Sequence, residues 1–409
     1  MLTSQQKALV KATIPTLKAS GQSLTDYFYQ RMLNHVPQLK ETFNMGHQRD
    51  GRQAKALANA VLAYAEHIDD PRPLLPVIEL ICHKHVSLNI QAPDYAIVGE
   101  HLLHSMSEVL GISMEDELIS AWGSAYQDLA EIFIATERKI YEKHKQTLGS
   151  WVGWRQFTLD RKVIETPEVT SFYLTPTDHL PLPHYLPGQF ITLRTEIATL
   201  GYKQPRQYSL STAPNGQFFR ISVKEATGGV GEREAGYVST TLHHQLNVGD
   251  RVELSAPTGN FTIADPNKHN VLISAGIGIT PMVAMLEGLL ENNLQQKLPS
   301  TSPTVTFIHA ARDAEHCALG EEVRALAEQH PAVQTFVTVE HARHDCPLGH
   351  AVGRLILREL PPSLLPIDAD FYICGPVPFV EVINNNLQEL GIPIDQIHYE
   401  VFSTGGTAS

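Results

Sequence analysis

The chain has 409 residues, 43% hydrophobic and 18% charged, the composition of an ordinary globular protein with enough length for two or three cores. A formal net charge of −13 argues against a nucleic-acid partner, which would need a basic face, and gives no attraction to anionic lipid, so no stable membrane association is expected. Its four cysteines, Cys82, Cys317, Cys346 and Cys374, form no C-x-x-C pair, which disfavours a disulfide framework or structural zinc and fits a reducing compartment.

The N-terminus, Met1-Leu2-Thr3-Ser4-Gln5-Gln6-Lys7, opens directly into an amphipathic pattern with no apolar signal region, so a cytoplasmic location is expected. Apolar residues then recur at helical spacing, as in Leu57, Val61, Tyr64 and Ile68, or Trp122, Tyr126, Leu129 and Phe133. Residues 1–148 therefore read as an all-helical domain. Within it, Tyr29 and Phe43 precede Gln53 and Leu57, which lie at i,i+4 on one helix face. His85 stands in Cys82-His83-Lys84-His85-Val86-Ser87, with Pro93-Asp94-Tyr95 ten residues on and Glu137 further along the helix of Trp122 and Phe133. Each of these alone is ordinary, since the chain has 20 histidines and most must be surface or core residues.

From about Trp154 the pattern changes to short strands: Phe157–Val163, Thr170–Leu174, Phe190–Arg194, Arg220–Lys224 and Arg251–Leu254. Pro187-Gly188, Asn215-Gly216 and Gly249-Asp250 supply turns between them. Residues 152–264 are expected to form an antiparallel barrel or sandwich. Its marked segments are Pro187-Gly188-Gln189-Phe190, Arg206-Gln207-Tyr208-Ser209-Leu210-Ser211 and Gly236-Tyr237-Val238-Ser239-Thr240.

Residues 268–409 alternate strands (Val271–Ser274, Val305–His309, Phe336–Val339, Phe371–Cys374) with helical segments, which implies an α/β domain with a parallel sheet. Val271 to Leu290 is long enough to span a bilayer and carries one charge, Glu287. Gly276, Gly278 and Pro281 interrupt it, so a buried strand, a glycine turn and a packed helix are expected instead. The turn, Gly276-Ile277-Gly278-Ile279-Thr280-Pro281, brings backbone N–H groups to a helix start, a site for pyrophosphate. Cys374-Gly375-Pro376 follows a later strand, and His398-Tyr399-Glu400-Val401-Phe402 lies near the end.

Taken together and in this order, the segments resemble the bacterial flavohaemoglobin (nitric oxide dioxygenase) family along the whole chain. The resemblance implies a globin fold carrying haem b, then a ferredoxin reductase-like pair of domains binding FAD and NADH or NADPH. It makes His85 the proximal iron ligand, Phe43 the haem wedge, and Tyr29, Gln53 and Leu57 the distal lining. Tyr95 and Glu137 would support His85 through its other nitrogen.

In the barrel, the resemblance assigns Arg206 to the flavin pyrophosphate, and Tyr208 and Ser209 to the isoalloxazine with Gln207 beside them. Phe190 would contact the flavin, and Val238, Ser239 and Thr240 would hold phosphate at a helix start. The family more often has asparagine where Thr240 stands. Gly276, Ile277, Gly278, Ile279, Thr280 and Pro281 would meet the nicotinamide nucleotide, with Cys374, Gly375 and Pro376 at its reactive end and Cys374 only positioning. Val401 and Phe402 would cover the flavin, and Glu400 would lie between flavin and haem near Lys84. Ser403 and Thr404 stand where the family commonly has Gly-Pro.

The implied activity is conversion of nitric oxide and oxygen to nitrate by a monomer with small-molecule substrates. A flavin belongs between an obligate two-electron donor and a one-electron acceptor. Two other readings stay open: a haem-linked hydroperoxide reductase or peroxidase, and an oxygen carrier or sensor with its own ferric-haem reductase. Coenzyme choice is open too, because Ala311-Arg312-Asp313 offers a cation and an anion together.

Overall fold

Thr3 fixes the first helix with a capping box: its hydroxyl accepts from the Gln6 N–H at 3.2 Å, and the Gln6 side chain accepts from the Thr3 N–H at 2.9 Å. Helix α1 (Ser4–Ala12) is followed by α2 (Ile14–His35), α3 (Met45–Arg49), α4 (Arg52–Glu66), α5 (Leu75–Ser87), α6 (Ala92–Leu110) and α7 (Glu117–Gln146). The computed structural model of the chain describes residues 2–228, 236–296, 305–341 and 351–402, so Cys346, Ser403 and Thr404 lie outside the described residues. These fall into two units: Met1–Gln146 with Trp151–Trp154 and Arg194–Arg206, and Thr147–Ser150 with Arg155–Leu193 and Gln207–Ser409.

The helical unit buries one apolar cluster, including Phe28, Met32, Tyr64, Ile68, Met106 and Trp122. Its α6 starts at Gln91 with a second capping box to Asp94 and Pro93 in its first turn, and stops at Gly111 in the left-handed region (φ +65°). Gly99 in the middle of α6 has a packing reason. A Cβ there would lie 2.5 Å from the Tyr126 ring, whose hydroxyl is tied to the Tyr95 carbonyl at 2.6 Å. Gly99→Ala is therefore expected to destabilise the helical unit by about 1–3 kcal/mol, an overpacking cost. Thermal unfolding followed by far-UV circular dichroism would read this as a lower midpoint.

The second unit begins with β1 (Arg155–Thr166), β2 (Val169–Pro176), β3 (Phe190–Ile197), β4 (Tyr202–Ser209), β5 (Phe219–Lys224), α8 (Tyr237–His244) and β6 (Arg251–Leu254), with the tail of β3 and most of β4 grouped with the helices. The strand order is β4-β3-β6-β1-β2-β5. A bridge between Leu210 and Ile221, with the Ser211 N–H donating to the Arg220 carbonyl at 2.9 Å, joins the end of β4 to β5. The choice between barrel and sandwich thus falls to the barrel. Phe157, Leu159, Phe172, Leu174, Ile191, Leu193 and Phe219 are the largest of its fully buried side chains. Gly188, Gly216 and Gly249 all have positive φ, as their turns require.

The rest of that unit alternates β7 (Asn270–Ala275), α9 (Ile279–Gln296), β8 (Val305–Ala311), α10 (Gly320–Gln329), β9 (Val333–Val339), β10 (Ala351–Val352), β11 (Asp370–Gly375), α11 (Val377–Glu389) and β12 (Ile397–Val401). The sheet is parallel, in the order β10-β9-β8-β7-β11-β12. One face packs on α9 through Leu272, Phe307 and Tyr372, the other on α11 through Val271, Ile273 and Phe371. The chain leaves β7 toward β8 and returns to its other side at β11, so the switch point lies between β7 and β11. The long apolar run of Val271 to Leu290 is the strand, glycine turn and helix expected. Among the described residues no helix is long and apolar enough to cross a membrane.

Candidate functional site

His85 sits near the end of α5 with its Nδ1 2.8 Å from Glu137 Oε1 and 3.0 Å from the Tyr95 hydroxyl. Tyr95 donates to the same Glu137 oxygen at 2.5 Å. Glu137 is only 2% exposed although it lies on a long helix with many solvated charges. Burial, and then the Glu137 charge, push the Tyr95 hydroxyl well above its usual range, so it stays a donor. Two more tyrosines lock the frame: Tyr126 donates to the Tyr95 carbonyl and Tyr141 to the Ile90 carbonyl, each at 2.6 Å. With Nδ1–H committed to these acceptors, the tautomer leaves a lone pair on His85 Nε2, a donor of the kind that suits a haem iron. The donor set fits a haem.

Tyr29 is 7% exposed on α2 and packs edge-on against Phe43, ring centroids 5.6 Å apart. Burial raises its hydroxyl above the usual range, while a hydrogen bond with the Gln53 side chain of α4 acts the other way. Leu57 packs against the core from α4. His47 is held neutral, its imidazole lowered to about 3 by burial and then by the charges of Arg52 and Arg206, with Lys84 also contributing.

In the barrel, Arg206, Gln207, Tyr208 and Ser209 form the end of β4, which pattern reading marked as a motif without assigning a strand. Phe190 starts β3 and is 4% exposed. Before it, a Cβ on Gly188 would lie 2.1 Å from the Phe261 carbonyl, so only glycine fits that turn. Gly236 caps α8, and Ser239 spends its hydroxyl on the Ala226 N–H at 3.2 Å. The Thr240 hydroxyl is buried with no partner among the described residues. An orphaned hydroxyl beside the free N–H groups of a helix start suits a phosphate oxygen. Val238 beneath it is fully buried. These residues fit an FAD.

The glycine turn Gly276–Gly278 follows β7, with Gly276 at φ +52°. A Cβ on Gly278 would lie 2.3 Å from the Cys374 carbonyl, so this glycine lets the helix start approach β11. Ile279 and Thr280 open α9 with Pro281 in its first turn, and the Thr280 hydroxyl donates to the Ile277 carbonyl at 3.0 Å. Across the sheet Ser274, His309 and Cys374 stand in register. Cys374 is fully buried and its thiol is pushed up by that burial, which suits an inert positioning residue. Gly375 closes β11 and Pro376 caps α11. Glu400 and Val401 pair with Cys374 and Gly375, and Phe402 just beyond is 48% exposed. Lys84 and Glu400 fall one in each unit.

Pattern reading missed several polar residues. His309 is buried, bonded through Nδ1 to the Ser274 hydroxyl at 2.9 Å and lowered to about 4 by burial, and its Nε2 meets no partner among the described residues. Arg220 pairs with Glu322 at 2.8 and 2.9 Å, and Glu287 accepts from the Thr212 hydroxyl and the Ala213 N–H. Tyr126 was visible only as part of an apolar stripe, yet it lies on the helix face that carries Phe133 and Glu137.

Three family profiles match the chain in order: Globin over residues 26–133, an oxidoreductase FAD-binding domain over 156–263 and an oxidoreductase NAD-binding domain over 272–385. The flavohemoprotein of Chromobacterium violaceum is 47% identical over 99% of both chains. The crystal structure of a flavohemoglobin from Malassezia yamatoensis, with bound FAD and heme, has a TM-score of 0.84 at 27% identity and covers 98% of this chain and 100% of its own. The FAD/NAD-binding domain of a nitric oxide dioxygenase from Vibrio cholerae is 38% identical with a TM-score of 0.54, over 60% of this chain and 98% of its own. With a full-length relative at this identity and globin, FAD-binding and NAD-binding domains in series, the chain belongs to the flavohemoprotein family.

Proposed function

We propose that the chain is a nitric oxide dioxygenase that uses NADH or NADPH, FAD and haem to turn nitric oxide and oxygen into nitrate, with domains 1–148, 152–264 and 268–409. The Tyr95–Glu137–His85 relay carries this reading. Its carboxylate, 2.8 Å from the imidazole Nδ1, adds electron density to the proximal ligand, which favours oxygen activation over storage. The haem and flavin, when bound, supply one-electron iron chemistry and the conversion of a hydride into single electrons.

The chain's own residues do the holding. His85 would hold the haem iron and Phe43 would wedge the ring, while Tyr29, buried against Phe43, would line the distal side with Gln53 and Leu57. Phe190, Arg206, Gln207, Tyr208, Ser209, Val238, Ser239 and Thr240 hold FAD. Gly276 to Pro281 receive the nucleotide pyrophosphate, Cys374, Gly375 and Pro376 place the nicotinamide, and Val401 and Phe402 cover the flavin. The family resemblance assigns Lys84 and Glu400 to electron transfer. The proposal extends to a cytoplasmic monomer acting on small molecules.

Purified protein supplied with NADH and oxygen is expected to consume nitric oxide catalytically and to yield nitrate one for one. Faster turnover of an organic hydroperoxide than of nitric oxide would overturn the reading. So would flavin reduction with no nitric oxide consumption.

A further inference from the structure

Glu168, in the turn between β1 and β2, gathers two cations and a histidine from two parts of the reductase unit. Arg312 Nη2 donates to both its oxygens at 2.9 and 3.0 Å, Lys224 Nζ lies 3.0 Å away, and His316 Nε2 lies 3.7 Å away. The turn is built to hold it. The Thr166 hydroxyl accepts from the N–H groups of Glu168 and Val169 at 3.3 and 3.0 Å, and the Glu225 N–H donates to the Glu168 carbonyl at 2.8 Å.

Arg312 directly follows β8, which lies beside β7 and its glycine turn in the parallel sheet. In open α/β sheets the residues after the strand next to the glycine turn meet the adenosine ribose. An acid there takes the 2′-hydroxyl of NADH, and an arginine takes the 2′-phosphate of NADPH. Both residue types are present, as Arg312 and Asp313. Asp313 is already committed: it caps the turn that follows, accepting from the His316 N–H at 3.2 Å and facing His316 Nδ1 at 2.5 Å, and it is 7% exposed. Arg312 keeps its side chain 49% exposed, yet its guanidinium is taken by Glu168.

We propose that Glu168 makes this chain select NADH over NADPH by occupying Arg312, the cation placed for a 2′-phosphate. The inference rests on the reading of the chain as a nicotinamide-dependent flavin reductase. A 2′-phosphate, with nearly two negative charges at neutral pH, would have to displace the Glu168 carboxylate from Arg312 and then sit beside it. The neutral 2′-hydroxyl of NADH makes neither demand. Selectivity thus resides on a turn of the barrel rather than in the nucleotide lobe itself. Neutralising Glu168 would leave Arg312 and Lys224 as a pair of cations with no carboxylate between them.

Full-length, haem- and FAD-loaded protein gives the test, with flavin reduction by NADH and by NADPH measured for wild type and Glu168→Gln. Glutamine keeps the backbone contacts of the turn. The expected result is a rise of about tenfold or more in kcat/KM for NADPH, carried by KM, with NADH moving less than about twofold, as expected when a like charge leaves a binding face. The gain should shrink in about 0.5 M salt, because it is electrostatic and half-exposed. It should also vanish in the double variant Glu168→Gln, Arg312→Gln. An unchanged NADPH efficiency in a Glu168→Gln protein with its full flavin and haem absorbance overturns the inference alone, as does a gain that survives in the double variant. Failure of both nucleotides to reduce the wild-type flavin would overturn the nicotinamide reading and the inference with it.

Discussion

Glu137→Gln is expected to lower nitric oxide consumption about 10- to 100-fold with haem still bound, the usual cost of losing the partner behind a metal-ligating histidine. His85 keeps its place in α5, so the Soret band should persist. What is lost is the negative charge that accepts from both Tyr95 at 2.5 Å and His85 Nδ1 at 2.8 Å. The haem midpoint potential should therefore shift positive, because the ferric state gains most from an electron-rich imidazole. Tyr95→Phe is expected to cost less, since Glu137 still accepts directly from the imidazole. Flavin reduction by NADH should be untouched in both variants, which separates a haem defect from a reductase defect. Unchanged nitric oxide turnover and potential in Glu137→Gln would remove the relay from the mechanism.

The architecture was largely legible in the sequence, and the reasons are local. Helical spacing such as Trp122, Tyr126, Leu129 and Phe133 reports the buried face of α7, and β-branched runs such as Val271–Ser274 report strands buried on both faces. Glycine turns were readable because their positive φ excludes other residues, as at Gly188 and Gly249. The strand β4 was not marked as a strand. Its Tyr-Lys-Gln-Pro-Arg-Gln-Tyr-Ser sequence is polar and holds a proline, so no alternation shows, and its pairing comes from β3. β12 was marked only as a terminal segment for the same reason: its place is set by β11, more than twenty residues earlier.

The residues proposed for the haem read as an ordered set, whereas no single one of them announces its role. Glu137 reads locally as one more helix charge, and only the packing of α5, α6 and α7 makes it 2% exposed. Clusters such as Glu168–Arg312 or Arg220–Glu322 join residues more than a hundred positions apart and leave no period or motif behind. Arg220 and Arg312 lie in segments that the sequence marks, but nothing local points to Glu322 or Glu168 as their partners.

Arg220→Ala is expected to destabilise the reductase unit by about 3–5 kcal/mol, because it strips the cation from a buried ionic cluster and leaves carboxylates behind. Arg220 is 6% exposed on β5, bonds both oxygens of Glu322 on α10, and lies 4.0 Å from Glu287 on α9. Flavin fluorescence on heating would report the loss as FAD release at a lower temperature. The same cluster predicts a pH dependence. Burial, and then Glu322, push the Glu287 carboxyl up to about 7 from an ordinary 4.5. The folded protein therefore holds this proton more tightly than the unfolded chain. The stability it brings is complete below about pH 4.5 and is lost as pH rises through about 7. Glu287→Gln carries no such titration, and its amide oxygen still accepts from the Thr212 hydroxyl and the Ala213 N–H. It should gain on wild type by about 1–2 kcal/mol between about pH 5 and pH 8. A constant difference across that range would mean that Glu287 stays charged, held by Arg220 strongly enough to offset its burial.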